Sequence, residues 1–190
     1  MKIAYIGWGS LLWNNEALQL KNNFKHTQIK LPINYSRISF IDENNNGKLT
    51  LIIDEKYGEK CNIWYGETKI KNLDKAINTL KKREYTIKDN IGYYNFVKGT
   101  FRSKNLSKKN LNKLKSSFKN KGFDAIIWTD LSSNWDKVEK NSFSNLKAEK
   151  YIQSRKYIKE LYEKQIEYIK LCYKFAKINL PITKKIIKDL

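Results

Sequence analysis

The sequence predicts a single α+β domain, on three observations. A short apolar strand opens the chain at 3–6. Strand-like stretches at 33–41, 49–54 and 61–68 follow, joined by short turns. From residue 72 the apolar spacing changes to a helical one, over 72–82, 103–121 and 148–176. At 190 residues the chain is most simply one domain, 1–190, long enough to bury a sizeable core.

Taken in order, Ile3, Ala4, Tyr5 and Ile6 are rich in β-formers, and Gly7, Gly9 and Ser10 interrupt them, which reads as a buried strand running into a tight loop. Without a Cβ, Gly7 and Gly9 can take positive φ and let the backbone approach a bound group, leaving N–H donors as an oxyanion cradle. Read alone, the stretch is more simply a tight turn at the end of a core strand. Residues 14–24 are polar, a loop or short helix. In 33–41, Ile33, Tyr35, Arg37 and Ser39 alternate with Asn34, Ser36, Ile38 and Phe40, and Pro32 suits the strand's start. The asparagines and glycine of 42–47 make a turn, 49–54 is apolar enough for burial on both faces, and a turn at 57–60 leads to strand 61–68. Three consecutive strands with short turns predict an antiparallel meander.

Leu73, Ala76, Ile77 and Leu80 lie on one helical face behind a cap at Asn72 or Asp74, and that helix delivers Arg83, Glu84 and Tyr85 at its exit. A strand is expected at 91–99. Leu106, Leu111, Leu114 and Phe118 mark a helix over 103–121 that Gly122 ends, and 123–131 is a strongly apolar strand followed by a loop at 132–136. Ile152, Ile158, Leu161, Tyr162, Ile166, Ile169, Tyr173 and Ala176 predict one long C-terminal helix over 148–176, with a short basic helix to follow within 178–190.

Composition excludes several function classes. No apolar run approaches the roughly 20 residues of a membrane span, and the N-terminus lacks the basic and apolar regions of a signal peptide, so the expectation is a cytoplasmic protein with no membrane partner. Cys61 and Cys172 are far apart, which fits a reducing compartment and argues against a structural zinc site. The net charge of +19 invites a nucleic-acid partner, but the lysines are spread over the whole chain and the arginines are only Arg37, Arg83, Arg102 and Arg155. Specific nucleic-acid binding is therefore not expected, and a basic nucleic-acid-binding protein is the least favoured alternative.

With His26 the only histidine, in a polar stretch that predicts exposure, a Ser-His-Asp triad or a histidine metal site has almost nothing to be built from. Ser10 in G-W-G-S lacks the second glycine of a nucleophile elbow, and no phosphate-binding glycine motif is present. Proton transfer falls to a carboxylate, a lysine or a tyrosine. Glu84, leaving a helix just before a strand, can point into a sheet-lined cavity, where partial desolvation would raise its pKa toward that of a working general base. The alternative for Glu84 is a surface residue pairing with Arg83 or a nearby lysine. Asp130 is a second candidate, unless it caps the following turn.

The ordered motifs carry a resemblance. G-W-G-S-L-L-W at 7–13 resembles the Y-G-S-[NL]-L signature of the γ-glutamylcyclotransferase superfamily, nearest to its ChaC-type members. Y-S-R-I-S-F at 35–40, L-T-L at 49–51, W-Y-G at 64–66 and L-K-K-R-E-Y at 80–85 continue it, the last being similar to the segment that carries the family's catalytic glutamate. A-I-I-W-T-D-L-S-S-N-W at 125–135 and the closing Y-I to L-P-I-T pattern are similar to a bacterial cyclotransferase-like branch. The resemblance implies a mixed, largely antiparallel sheet closing into a partial barrel with helices outside. It also implies Glu84 as acid/base, and Trp8, Gly9, Ser10 and Leu11 as the substrate loop. The activity implied is cofactor-free and metal-free closure of a small-molecule γ-glutamyl substrate to 5-oxoproline. Trp8 stands where the family has tyrosine, so a hydroxyl is lost there. The alternative, from another class, is a non-catalytic small-molecule or protein-binding module on the same fold.

Overall fold

The computed structural model describes residues 1–44 and 46–188. Asn45 of the expected 42–47 turn and the last two positions of the expected terminal segment lie outside the described residues. Among the described residues seven strands form one mixed sheet: β1 (Ile3–Gly7), β2 (Lys25–Ser39), β3 (Lys48–Ile53), β4 (Glu59–Glu67), β5 (Ile91–Asn95), β6 (Phe101–Arg102) and β7 (Ala125–Thr129). Their order is β3-β2-β4-β1-β7-β5-β6. β1 runs parallel to β7 and antiparallel to β4, and the other pairs are antiparallel. The helices are α1 (Leu73–Arg83), α2 (Lys108–Asn120), α3 (Trp135–Glu139), α4 (Asn145–Gln153), α5 (Lys159–Ala176) and α6 (Pro181–Lys188).

The central strand explains the two layers of core. All of β1 is buried, and its side chains alternate between faces. Ile3 and Tyr5 meet Ala76, Ile77 and Leu80 of α1, while Ala4 and Ile6 join the larger core that includes Trp128 of β7 and Ile169 and Cys172 of α5. A strand covered on both faces must be apolar throughout, which is the pattern of 3–6.

The predicted meander is not formed. β2 is long enough to take two partners in succession: its first half, from Lys25 to Ile33, pairs with β4 and its second half, from Ile33 to Ser39, with β3 on the other side. Pro32 is therefore inside the strand, at the changeover, with its carbonyl accepting from Asp54 N–H at 2.9 Å. The chain crosses from β3 to β4 over this point. A Cβ on Gly58 would stand 2.3 Å from the Asp54 carbonyl oxygen and 2.6 Å from the Pro32 carbonyl carbon, so only glycine fits the crossing.

The sheet is also open, not closed into a partial barrel. Closure would need a partner for the outer edge of β3, and side chains occupy that edge already. Tyr151 Oη both accepts from Gly47 N–H and donates to Gly47 C=O, each at 3.0 Å. The Gln165 amide accepts from Leu49 N–H at 2.5 Å and donates to Leu49 C=O at 3.2 Å. Two residues on, Leu51 N–H donates to Tyr168 Oη and Leu51 C=O accepts from Trp8 Nε1, both at 3.4 Å. The alternate residues 47, 49 and 51 thus find their edge partners in helices and loop, and the edge is blunted.

The helix expected over 148–176 is two helices, α4 and α5. Nothing in the stretch is a proline or glycine; the break comes from side chains competing for a carbonyl. Ser154 Oγ and Arg155 Nη1 both donate to Tyr151 C=O, at 3.0 and 3.1 Å, and Arg155 N–H turns to Ile152 C=O instead. Other elements are shorter than expected: β5 stops at Asn95, β7 spans Ala125–Thr129, and α2 begins only after the Ser107 cap. Trp135–Glu139, expected in part as loop, is α3. No described helix is long and apolar enough to cross a membrane.

Candidate active site

A cleft of about 1020 Å³ opens over the ends of β1, β2, β3 and β7, with α5 along one side and the exit of α1 along another. It brings together the residues singled out in the sequence: Trp8, Gly9, Ser10, Leu11 and Glu84 all line it. Its volume is at the upper end for small-molecule sites.

The loop that follows β1 is a 3₁₀ turn, Ser10–Leu12, and its first amides, Ser10 and Leu11, have no acceptor within the turn. Neither Gly7 nor Gly9 adopts the left-handed conformation; Gly9 sits at φ 176°, an extended conformation open to any residue. The reason for glycine at position 9 is space. A Cβ there would lie 3.2 Å from Tyr168 Oη, and one on Gly7 3.2 Å from Leu11 Cβ. Trp8 is almost wholly buried, and its indole N–H is spent on Leu51 C=O, so it forms a wall of the cleft and not a donor into it.

Glu84 is the first residue past α1, and its side chain is 16 % exposed. Burial pushes its carboxyl above the ordinary glutamate range, against the opposing pull of the adjacent Arg83 cation. Arg83 Nη1 donates to Glu84 Oε1 at 2.5 Å, while Nη2 reaches Ser10 Oγ at 3.0 Å and Asn14 C=O at 2.9 Å. One guanidinium therefore ties the carboxylate to the glycine loop. The sequence offered Arg83 only as a surface partner for Glu84; here it joins both halves of the site.

Tyr168 was not visible as a site residue. It projects from α5 with its hydroxyl against Leu51 N–H and close to Gly9, and burial raises the phenol well above its usual pKa, with lesser contributions that include the charge of Glu84. A signal was present: Leu161, Gln165, Tyr168 and Cys172 share one helical face, but it is polar enough to escape an apolar stripe. Arg37 was also missed, since simple alternation put it in a row with Ile33 and Tyr35. A bulge between Asn34 and Arg37 shifts the register, pairs Arg37 with Thr50 and turns both to the cleft. At the rim, Phe40 and Tyr85 are exposed with φ of 58° and 48°.

The remaining candidates lie elsewhere. Asp130 is buried outside the cleft lining, where it accepts from Lys104 N–H at 2.5 Å and Asn105 N–H at 3.2 Å; it anchors the approach to α2 and does not cap the turn that follows it. His26 is exposed at the start of β2, its ring edge-on to Trp64. Among the described residues no group of three or more His, Cys, Asp or Glu is placed to hold a metal ion. Compared with protein families, curated proteins and solved structures, the chain gives no significant match to any.

Proposed function

We propose that the chain is a cofactor-free γ-glutamylcyclotransferase-like enzyme, its open sheet a variant of the partly closed barrel that the motif resemblance implies. The observation that carries the reading is the sharing of Arg83 by Glu84 and Ser10 at the wall of one cleft. A cytoplasmic setting belongs to the same reading, and the free, buried thiols Cys61 and Cys172 fit it.

In a γ-glutamyl amide or peptide the free α-amine can fold back on its own γ-carbonyl and close a five-membered lactam. The amine is mostly protonated near neutrality, since an α-amino group ordinarily titrates at about pH 8. Glu84 Oε1 is held by Arg83, and no protein donor among the described residues occupies Oε2, which is left to take that proton. The N–C bond forms as the γ-carbonyl becomes a tetrahedral oxyanion, which the Ser10 and Leu11 amides, unbonded within the turn, would receive; one such donor is typically worth about 3 kcal/mol. Collapse re-forms the carbonyl and breaks the bond to the leaving nitrogen; Glu84 returns the proton to it, and the surplus proton on the ring nitrogen passes to the released amine, which departs as its ammonium. Attack is intramolecular, so holding the bent conformer supplies several of the roughly 7–11 kcal/mol available from proximity.

The test is release of 5-oxoproline from a panel of γ-glutamyl compounds, glutathione among them, by the wild-type protein and by Glu84→Gln. Turnover by the wild type and none by the variant, with unchanged far-UV dichroism, is the expected result. Turnover retained by Glu84→Gln removes the role given to Glu84. Ligand-induced stabilisation without any 5-oxoproline identifies a binding module.

A further inference from the structure

Five non-glycine residues among those described have a left-handed φ. Gln19, Lys140 and Lys177 are polar and directly follow helical turns, an ordinary place for that conformation. Phe40 and Tyr85 are the two bulky ones. Both line the cleft, and they are 71 % and 88 % exposed.

Tyr85 holds the position just past the cap of α1. Its N–H donates to Lys82 C=O at 3.2 Å and the Thr86 N–H to Lys81 C=O at 3.1 Å, the paired bonds of a left-handed helix terminus. Glycine suits that position best, because a Cβ crowds the carbonyl that follows. Tyrosine there carries backbone strain and leaves its ring in water. Phe40 does the same at the exit of β2, and Ile41 beside it, also exposed, lines the cleft too. Lys48 Nζ lies 5.2 Å from the centre of the Phe40 ring and braces it at the rim. Strained, exposed rings on two separate elements of one cleft are unfavourable in the empty protein, and both terms turn to advantage when an apolar group enters and covers them.

Tyr85 also follows Glu84 directly in the chain. Glu84 is the group that hands a proton to the leaving nitrogen, so the body of the leaving amine emerges on the Tyr85 side of the cleft. We infer that Phe40 and Tyr85 clasp the leaving-group end of the ligand, and that this end is an apolar or aromatic amine. The inference rests on the proposed function for which end of the ligand reaches the rim. It favours γ-glutamyl derivatives of arylalkyl amines over those of small amines.

The test begins with binding, by calorimetric titration with N-benzylglutaramate and N-methylglutaramate, which lack the α-amine and cannot close a lactam. The wild type is expected to bind the benzyl compound at least about tenfold more tightly, the scale of covering one phenyl ring between aromatic partners. Tyr85→Gly and Phe40→Gly should each lose most of that preference yet melt no lower than wild type, since glycine relieves the left-handed strain. Tyr85→Phe, which keeps the ring, should keep the preference. Equal affinity of the wild type for the two compounds, or a preference unchanged in both glycine variants, overturns the inference. So does a dimer that either glycine variant dissociates in sedimentation velocity, because a second copy would then be what covers the rings. Kinetics follow: kcat/KM for γ-glutamylbenzylamide relative to γ-glutamylmethylamide should fall in the same order across the variants. Turnover of both amides without a benzyl preference would keep the cyclotransferase reading and overturn the aromatic clasp. A Tyr85-dependent benzyl preference in binding, by a wild type that releases no 5-oxoproline, would refute the cyclotransferase reading and leave the clasp standing.

Discussion

Arg83 Nη1 lies 2.5 Å from Glu84 Oε1, an ion pair between chain neighbours. Adjacent residues do not face one another within a helix. These two meet because the helix ends between them: Glu84 leaves α1 at φ −86°, ψ 2°, and Tyr85 then turns left-handed at φ 48°. The helix end thereby creates a carboxylate held by a cation in a partly dry cleft, where two opposing influences act on its proton.

The first prediction separates those influences. The Arg83 charge favours ionised Glu84 and burial disfavours it. A base must be ionised to act, so kcat/KM should rise with pH through the Glu84 pKa. Arg83→Met removes the favouring cation and should move that acidic limb to higher pH, whereas Arg83→Lys should leave it near the wild-type position. A limb that stays fixed in Arg83→Met would assign it to another group.

The second prediction concerns stability. Because the folded pKa of Glu84 is raised, ionising it in the native state carries a penalty the unfolded chain does not bear. The penalty is absent below the ordinary glutamate pKa and grows as pH rises through the folded value. Glu84→Gln cannot ionise, so its Tm relative to wild type should climb between pH 4 and pH 7. A relative Tm that falls over the same range would mean that the pair with Arg83 outweighs burial.

How far the sequence could be read depends on the interaction concerned. Apolar periodicity located β1, α1 and β7 because their burial is intrinsic to their own residues, and Asn72 caps α1 as expected, accepting from Lys75 N–H at 2.9 Å. What escaped was set by polar side chains reaching over long separations. Gln165 and Tyr151 satisfy a strand edge more than a hundred positions away, and Asn134 does the same for Ile38, bonding its N–H and its C=O at 2.8 Å each. No local pattern announces such contacts, and they are what keep the sheet from closing. That the Ser10 loop and Glu84 stood out came from the glycines that break an apolar strand and from a shortage of histidine that left proton transfer to a carboxylate; that Tyr168 and Arg37 line the same cleft was hidden, one by a polar helical face and the other by a bulge.

A third prediction tests the close approach at Gly9. The backbone conformation there is open to alanine, but the added Cβ would meet Tyr168 Oη at 3.2 Å, and that oxygen is tied to Leu51 N–H. Gly9→Ala should lower stability by about 1 kcal/mol, the scale of mild overpacking, and reduce turnover by displacing the loop. Tyr168→Phe deletes the opposing atom, so in the double variant the cost of the Gly9 change should largely vanish. Strictly additive effects in denaturant titrations would show that the two positions do not press on each other.

The last prediction concerns the edge of β3, on which the open sheet depends. Gln165 is 4 % exposed, and its amide satisfies both Leu49 N–H and Leu49 C=O. Gln165→Leu keeps the apolar bulk of the side chain and deletes both bonds, leaving two backbone groups buried and unmet. At about 1–3 kcal/mol for each unsatisfied group, the loss should reach roughly 2–6 kcal/mol. Gln165→Glu retains an acceptor for Leu49 N–H but loses the donor to Leu49 C=O and buries a carboxyl, so it should be rescued in part at low pH, where the protonated acid can donate. Chemical denaturation of the three proteins at two pH values checks this ordering. A Gln165→Leu variant as stable as wild type would mean that Leu49 finds other partners, and that the side-chain edge is not what holds the sheet open.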